Sequence, residues 1–279
     1  MTSEFARDSL SSWPEQKRAE LLAYLHGLYK GIFTEEAIQF HLDAHVGFDF
    51  ADHALSRIMP TARAGECLLD IGSGFGSFVL AARAGGLDAR GIEIAEFETD
   101  IARWRLRRLR PQEDADSIFR TDDARSLDLP PASVDIVTLW NVLEHVDAYD
   151  AVLTAVHRLL RPGGRVFVIC PNYCAWRLEA HYHFPWTPWL ALLPRSAVAR
   201  RIRKKGLNPR FFETSIFRRT NWGVQSTLKR LGFQLFNLDN NWPMDVGKGG
   251  FRTFRKRPRR FLNFWNPFRP AVELAARKV

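Results

Sequence analysis

The chain has 279 residues, of which 46% are hydrophobic and 25% are charged, enough to bury the core of one α/β domain with additions. Its first twenty residues hold no apolar stretch, and no run of about twenty apolar residues occurs anywhere. These features argue against a signal peptide and a transmembrane helix, so we expect a cytoplasmic protein.

Charge is distributed unevenly along the chain. Residues 195–279 hold 21 Lys and Arg against 4 Asp and Glu, a net charge of +17, whereas residues 1–194 have a net charge of −8. A basic C-terminal third indicates a polyanionic partner, such as a lipid headgroup surface, nucleic acid or a phosphorylated substrate.

The chain begins with predicted helices. Residues 14–30 have the spacing of an amphipathic helix, with Leu21, Leu25 and Leu28 on one face. Strands and helices then alternate, which predicts a doubly wound, mostly parallel α/β sheet whose ligands bind beyond the carboxyl ends of the strands. The expected strands are 67–71, 89–94, 117–120, 134–140 and 165–170, and the expected helices are 76–85, 98–109 and 148–160.

The turn after the first strand is rich in glycine. Asp70 precedes glycines at positions 72, 74 and 76, and the next strand ends with Glu93. Glycines let the backbone approach a ligand closely, and an acid at Glu93 is placed to accept hydrogen bonds from ribose hydroxyls. A carboxylate at Asp70 would repel a pyrophosphate but suits a ligand with an ammonium group and no phosphates. S-adenosylmethionine (SAM) is such a ligand, and we predict it as the cofactor.

At these residues the sequence resembles the class I SAM-dependent methyltransferases, especially the small-molecule branch that includes ubiquinone-biosynthesis O-methyltransferases. The match runs in order from about Glu66 to Asn172 and implies a seven-stranded, Rossmann-like fold with N-terminal helices and a basic-aromatic C-terminal extension. A weaker likeness connects the later segments to methyltransferases of bacterial cell-surface glycan and lipid pathways. The matching segments are LLDIGSGFG, GIEI, Asp122-Asp123-Ala124, SVDIVTLWNVLEHV and LLRPGG.

The resemblance implies a role for individual residues in binding SAM. Glu93 would bind the ribose, Ile94 the adenine face, Asp123 the adenine amino group and Asn141 the methionine end. Where the family has glycine before the Asp-Ala pair, this chain has Asp122, which places a second acid near the adenine. The full set of predicted cofactor-binding residues is Asp70, Gly72, Ser73, Gly74, Gly76, Glu93, Ile94, Asp123, Ala124 and Asn141.

Methyl transfer to a hydroxyl needs a group that removes the proton. The candidates are three histidines, at 145, 181 and 183, followed by Glu144 and Glu179. We predict His145, directly after the fourth strand, and His183, in the segment beyond the fifth, as the catalytic residues. The alternatives are that His145 is a structural residue and that His183 is a partly exposed loop histidine. A metal held by Glu144 and His145 is disfavoured because adjacent side chains point in different directions, so we predict no metal.

The character of the sequence changes after Asn172. We divide the chain into an N-terminal helical cap, a SAM-binding core, a substrate-side insertion, a final helix–strand unit of the core and a basic-aromatic tail. Their predicted bounds are 1–60, 61–172, 173–219, 220–245 and 246–279.

Two segments, 186–205 and 250–270, combine Trp, Phe and Leu with Lys and Arg. Such segments lie in membrane interfaces, although RNA-binding surfaces use the same residue types, and packed aromatics with solvated arginines are a third interpretation.

We predict an enzyme that methylates an oxygen of a small or lipid-linked acceptor, peripheral to the inner face of an anionic membrane. An RNA methyltransferase and a non-catalytic SAM-binding protein are the alternatives; the intact acids Asp70, Glu93 and Asp123 disfavour the last.

Overall fold

The computed structural model describes residues 7–29, 31–237 and 266–279. The chain divides into two compact units, Met1–Ala124 and Arg125–Val279. Among its described residues, the first unit has a 3₁₀ helix (Leu10–Ser12) and three N-terminal α-helices, followed by alternating strands and helices. Its elements are α1 (Glu15–Tyr29), α2 (Glu35–Val46), α3 (Asp49–Ile58), β1 (Cys67–Ile71), α4 (Ser77–Ala84), β2 (Asp88–Glu93), α5 (Glu96–Leu109), α6 (Ala115–Ile118) and β3 (Phe119–Thr121).

The N-terminal helices pack around an apolar cluster that reaches the glycine turn. Leu21 and Leu25 of α1 are buried, whereas Leu28, predicted on the same face, is 43% exposed. The cluster also includes Ile101 of α5 and Phe75 of the turn itself. The cap is therefore part of the core that supports the turn.

A buried arginine ties the start of the chain to the same place. Arg105 donates to both carboxylate oxygens of Asp8 at 3.1 and 2.8 Å, and both side chains are withdrawn from water. Its remaining hydrogen bonds go to Phe75 O, Ser77 Oγ and Val46 O. One side chain thus joins the N-terminal segment, α2, the glycine turn and α4.

The second unit contains the remaining strands and an insertion of short elements. Its elements are β4 (Val134–Trp140), α7 (Tyr149–Leu159), β5 (Leu160–Pro171), β6 (Arg177–Leu178), β7 (Pro185–Trp186), α8 (Pro188–Leu192), α9 (Arg195–Lys204), α10 (Arg210–Ser215), α11 (Asn221–Arg230), β8 (Phe233–Asn237) and β9 (Ala271–Lys278). β4 and β5 are parallel, β9 pairs antiparallel with both β5 and β8, and β6 and β7 form a separate hairpin. In the first unit β1, β2 and β3 are parallel. The predicted α/β class, with seven mostly parallel sheet strands, is confirmed.

The C-terminal region differs from the sequence-based expectation at residues 271–278, which form a strand, and at Arg269, which is buried. Residues 271–278, expected in the tail, form β9, because they pair antiparallel with β5 and bury Val272 and Leu274–Ala276. Arg269 is 6% exposed and pairs with Glu273 at 2.9 Å. Most of the tail segment 250–270 lies outside the described residues. Among the described helices, none is both long and apolar enough to span a membrane.

Candidate active site

The predicted SAM motifs of the first unit lie at one edge of its strands. Ile71 is in register with Ile92, and Glu93 with Thr121. Since the strands are parallel, the glycine turn after β1, the acid at the end of β2 and residues 122–124 after β3 share the carboxyl edge. This is the edge where such sheets bind ligands.

The glycine turn has a backbone shape that side chains disfavour. Gly72, Gly74 and Gly76 have φ values of 75°, 50° and 82°. A Cβ on Gly76 would stand 2.8 Å from the ring of Phe119. The amides of Gly72 and Ser73 donate to Ile92 O at 2.8 and 3.1 Å, which ties the turn to β2.

Gly91 is a further required glycine that the sequence analysis did not single out as a site residue. A Cβ there would lie 2.6 Å from Ser73 Oγ and 2.8 Å from the Phe119 ring. The sequence signal for Gly91 is its position at the start of GIEI. It lies two residues before Glu93 in β2 and faces Ser73 of the glycine turn.

Glu93 is fixed by the backbone around it. Its Oε2 accepts from the amide of Gly74 at 3.1 Å, and its Oε1 accepts from the amides of Ile94 and Ala95 at 2.8 and 3.1 Å. The side chain of Ile94 is 67% exposed beside it. A fixed carboxylate next to an exposed apolar side chain fits the predicted contacts with ribose and adenine.

The acids flanking this edge have different surroundings. Asp70 is almost fully buried at the end of β1. Asp122 Oδ1 accepts from the amide of Asp123 at 2.9 Å, and Asp122 Oδ2 accepts from Arg120 at 3.1 Å. Asp122 therefore shapes the loop that carries Asp123 and Ala124, a role the sequence did not indicate.

Two residues that the sequence analysis missed also lie at the glycine turn. Glu98, in the first turn of α5, has its Oε2 at 3.5 Å from the position a Cβ on Gly74 would take. The hydroxyl of Tyr24 in α1 donates to Glu98 Oε1 at 3.0 Å. The only sequence signal was a glutamate five positions after Glu93, which is too common to be informative.

In the second unit, the residues after β4 adopt an unusual conformation. Asn141 follows β4 with a φ of 54° and donates its amide to Ile169 O at 2.7 Å. Left-handed residues other than glycine are uncommon, and they cluster at functional sites. A 3₁₀ turn, Leu143–His145, follows. The assignment of Asn141 to the methionine end of SAM stays a prediction.

His145 is exposed and has a defined tautomer. Its Nδ1 lies 2.8 Å from Ser215 O. A carbonyl oxygen only accepts hydrogen bonds, so Nδ1 carries the proton and the neutral ring has its lone pair on Nε2. The histidine predicted as the base therefore presents a basic nitrogen on an accessible side chain.

A second histidine lies against His145 and is held by a buried acid. The rings of His145 and His181 are 5.1 Å apart, and His181 Nδ1 is 3.3 Å from Glu179 Oε1. Glu179 also accepts from Tyr173 Oη at 2.9 Å and from the amides of His181 and Tyr182 at 2.7 and 2.6 Å. Burial alone would raise the pKa of Glu179, but the hydrogen bonds and the charge of His181 lower it to about 2.

His183, the other predicted catalytic residue, lies exposed in the hairpin loop. Its φ is 52°, and its amide donates to Glu179 O at 3.0 Å. The structure thus brings His181 to His145, while a catalytic role for His183 stays a prediction.

Glu144, beside His145 in the chain, points into the interior. It is 1% exposed, and its Oε2 has no hydrogen-bond partner among the described residues. Burial raises its pKa to about 7, against the opposing effect of His181, Arg177 and Arg219. No three His, Cys, Asp or Glu side chains of the described residues are grouped to hold a metal.

Comparison with known proteins identifies the family. A family model described as a methyltransferase domain matches residues 44–210. The chain belongs to this methyltransferase family. A solved SAM-dependent methyltransferase from Mesorhizobium loti has the same fold as this methyltransferase, with a TM-score of 0.50 and 21% identity, covering 82% of this chain and 98% of the other.

Two curated relatives extend the comparison. A ubiquinone biosynthesis O-methyltransferase from Dechloromonas aromatica is 32% identical over 44% of this methyltransferase. The chain spans about half of that relative, 50% of its length. A 27-O-demethylrifamycin SV methyltransferase from Amycolatopsis mediterranei is 28% identical over 70% of the chain and 74% of its own length. The predicted methyltransferase class and the predicted SAM cofactor are confirmed at the level of the family.

Proposed function

We propose that this methyltransferase transfers the methyl group of SAM to a hydroxyl oxygen of a small or lipid-linked acceptor. Its curated relatives include a ubiquinone biosynthesis O-methyltransferase and an enzyme acting on 27-O-demethylrifamycin SV. In the first unit, the glycine turn, Glu93, Ile94 and Asp123 would bind the adenosine part of SAM.

The contact between His145 Nδ1 and Ser215 O, from which the tautomer follows, is the observation that carries this proposal. When bound, SAM would supply a methyl group activated by its sulfonium, and transfer to the acceptor oxygen would form a C–O bond as the methyl–sulfur bond breaks. The hydroxyl proton passes to His145 Nε2, since Nδ1–H is engaged with Ser215 O at 2.8 Å. His145 would then carry a positive charge as an imidazolium ring, which balances the charge lost from the cofactor.

A transfer assay with labelled SAM tests the proposal. Acceptors are matched sets of small phenols, alcohols and amines, and products are identified by mass spectrometry. We expect O-methyl products. The transfer rate of His145→Gln should be lower by about 10²- to 10⁴-fold, and Glu93→Ala should bind SAM more weakly. His53→Gln, a change of an exposed histidine in α3, is the control. Methylation of amines alone, or a fully active His145→Gln enzyme, would contradict the assignment.

We further propose that α8 and α9 bring the enzyme to an anionic membrane. Trp189, Leu192 and Leu193 are 66%, 75% and 42% exposed, whereas Trp186, predicted in the same patch, is buried and donates to Tyr173 O at 2.9 Å. The adjacent exposed cations of α9 are Arg200, Arg201, Arg203 and Lys204. Exposed apolar side chains beside cations favour a membrane interface, where each cation contributes about 1 kcal/mol.

Flotation with phosphatidylcholine vesicles, with and without about 30% phosphatidylglycerol, tests this surface. We expect binding that needs the anionic lipid, survives added RNA and is lost in a Trp189→Ser, Leu192→Ser variant. A matched control is Phe40→Ser, which removes an aromatic side chain 59% exposed on α2. Salt-sensitive binding to RNA with no vesicle binding would favour an RNA acceptor instead.

A further inference from the structure

Two carboxylates of the first unit meet at the same glycine. Glu93 Oε2 accepts from the amide of Gly74 at 3.1 Å. Glu98 Oε2 lies 3.5 Å from the point where a Cβ on Gly74 would stand. The turn expected to hold the cofactor therefore has an acid from β2 and an acid from α5 beside one residue.

The N-terminal cap holds the second acid in place. Tyr24 Oη donates to Glu98 Oε1 at 3.0 Å. The ring of Tyr24 stacks on Phe97, with centroids 4.2 Å apart and planes inclined by 22°. Since Tyr24 belongs to α1 and both Phe97 and Glu98 to α5, the position of Glu98 depends on contacts between these two helices.

No cation of the described residues neutralises this pair. Glu93 and Glu98 form no ion pair with any described Lys, Arg or His. The titratable groups facing Glu98 are Tyr24 and Tyr29 of α1 and Glu93 of β2. Burial, and then the charge of Glu93, raise the pKa of Glu98 to about 7. Burial and Glu98 raise the pKa of Tyr24 well above its ordinary value and the pKa of Tyr29 to about 12. Both tyrosines are therefore neutral.

We propose that Glu98, positioned by Tyr24, recognises the positive charge of SAM and makes the site prefer SAM to its demethylated product, S-adenosylhomocysteine. The two molecules differ by one methyl group and by the charge on sulfur. Two carboxylates without a cation repel each other, and a cationic ligand at the turn relieves that repulsion, whereas the neutral thioether does so less. The inference rests on the proposed use of SAM but not on the identity of the acceptor.

The sign of the pH dependence follows from the raised pKa. In the free protein below about pH 7, Glu98 is protonated, and SAM must displace that proton to gain the full attraction. The affinity for SAM should therefore rise as pH increases through about 7, with a proton released on binding. One pKa unit of coupling corresponds to about a tenfold change in affinity.

Calorimetric titration of SAM and of S-adenosylhomocysteine, from about pH 5.5 to about pH 8, tests the proposal. We expect wild-type protein to bind SAM about tenfold more tightly at the upper pH, with a smaller change for the product. Glu98→Gln should lose this dependence and most of the preference for SAM. The control Glu96→Gln neutralises an exposed acid on the same helical turn and should match wild type.

Tyr24→Phe separates the charge of Glu98 from its positioning. The tyrosine hydrogen bond lowers the pKa of Glu98, so its loss should move the tightening of SAM binding to higher pH. A merely structural role would weaken both ligands equally at every pH. If Glu98→Gln keeps the wild-type preference for SAM and the wild-type pH dependence, the inference about Glu98 is overturned, but the proposed use of SAM is not. Wild-type protein that binds neither ligand would overturn the proposed use of SAM as well.

Discussion

The first unit holds a half-buried glutamate and the second a fully buried one, and the pKa values of the two carboxylates shift in opposite directions. In the first unit the pKa of Glu98 is raised to about 7, because burial and Glu93 oppose its charge. In the second the pKa of Glu179 is lowered to about 2, because the hydrogen bond and charge of His181 and the amides of His181 and Tyr182 outweigh its burial. An acid satisfied by its own chain holds a fold together, whereas an acid left beside another acid is available to a ligand.

The contrast lies between two individual acids and not between the two units, because the first unit also contains a buried acid with a paired charge, Asp8 with Arg105. Arg105→Met would leave Asp8 buried and uncompensated, since the side chain of Arg105 is inaccessible and bonds both oxygens of Asp8. We expect a loss of about 3–5 kcal/mol in the free energy of unfolding, with weakened SAM binding because the glycine turn loses a support.

Denaturant unfolding followed by circular dichroism measures this loss. Arg107→Met is the control, because Arg107 is exposed and pairs with Asp116 at 2.8 Å on the surface. A cost for Arg105→Met as small as that of the control would show that the cap does not depend on this pair.

Glu179→Gln should have the next largest effect and should alter the pH dependence of stability. The pKa of Glu179 in the folded chain, about 2, lies below its ordinary value of 4.5. Its ionised form therefore stabilises the fold above about pH 4.5, and this contribution disappears as pH falls towards 2. The difference corresponds to about 3 kcal/mol at neutral pH.

Unfolding free energies of wild type and Glu179→Gln, measured between about pH 2 and about pH 7, test this assignment. The difference between them should be largest at neutral pH and shrink through the acid range. Glu213→Gln, which neutralises an exposed acid paired with Arg203, should follow wild type. A constant difference across the range would mean that Glu179 does not titrate as proposed.

The sequence predicted the parts of the site that depend on the backbone. Asp70, the glycine turn and Glu93 follow one another along the chain, and parallel strands must bring their carboxyl ends together. The pairing of Tyr24 with Glu98 joins residues 74 positions apart, and His145 meets His181 through a loop of irregular backbone. No periodicity encodes such contacts. Residues 271–278 were likewise misplaced, since only the antiparallel pairing with β5 distinguishes a last strand from a tail.

The smallest expected effect concerns the cations of α9. The helix packs through Val198, Ala199 and Ile202, all buried, while Arg200, Arg201 and Lys204 are exposed. None of these three cations forms an ion pair with a described acid; Arg203 is the cation of α9 that pairs with Glu213. Exposed charges of this kind contribute little to folding.

A variant with Arg200→Gln, Arg201→Gln and Lys204→Gln should therefore change the free energy of unfolding by less than about 1 kcal/mol. Ile202→Ala, on the packed face of the same helix, should cost about 2–5 kcal/mol. If the triple variant unfolds as wild type does but no longer floats with anionic vesicles, the charge of α9 serves a partner. A destabilisation as large as that of Ile202→Ala would instead assign these cations to the fold and remove the electrostatic argument for a membrane surface.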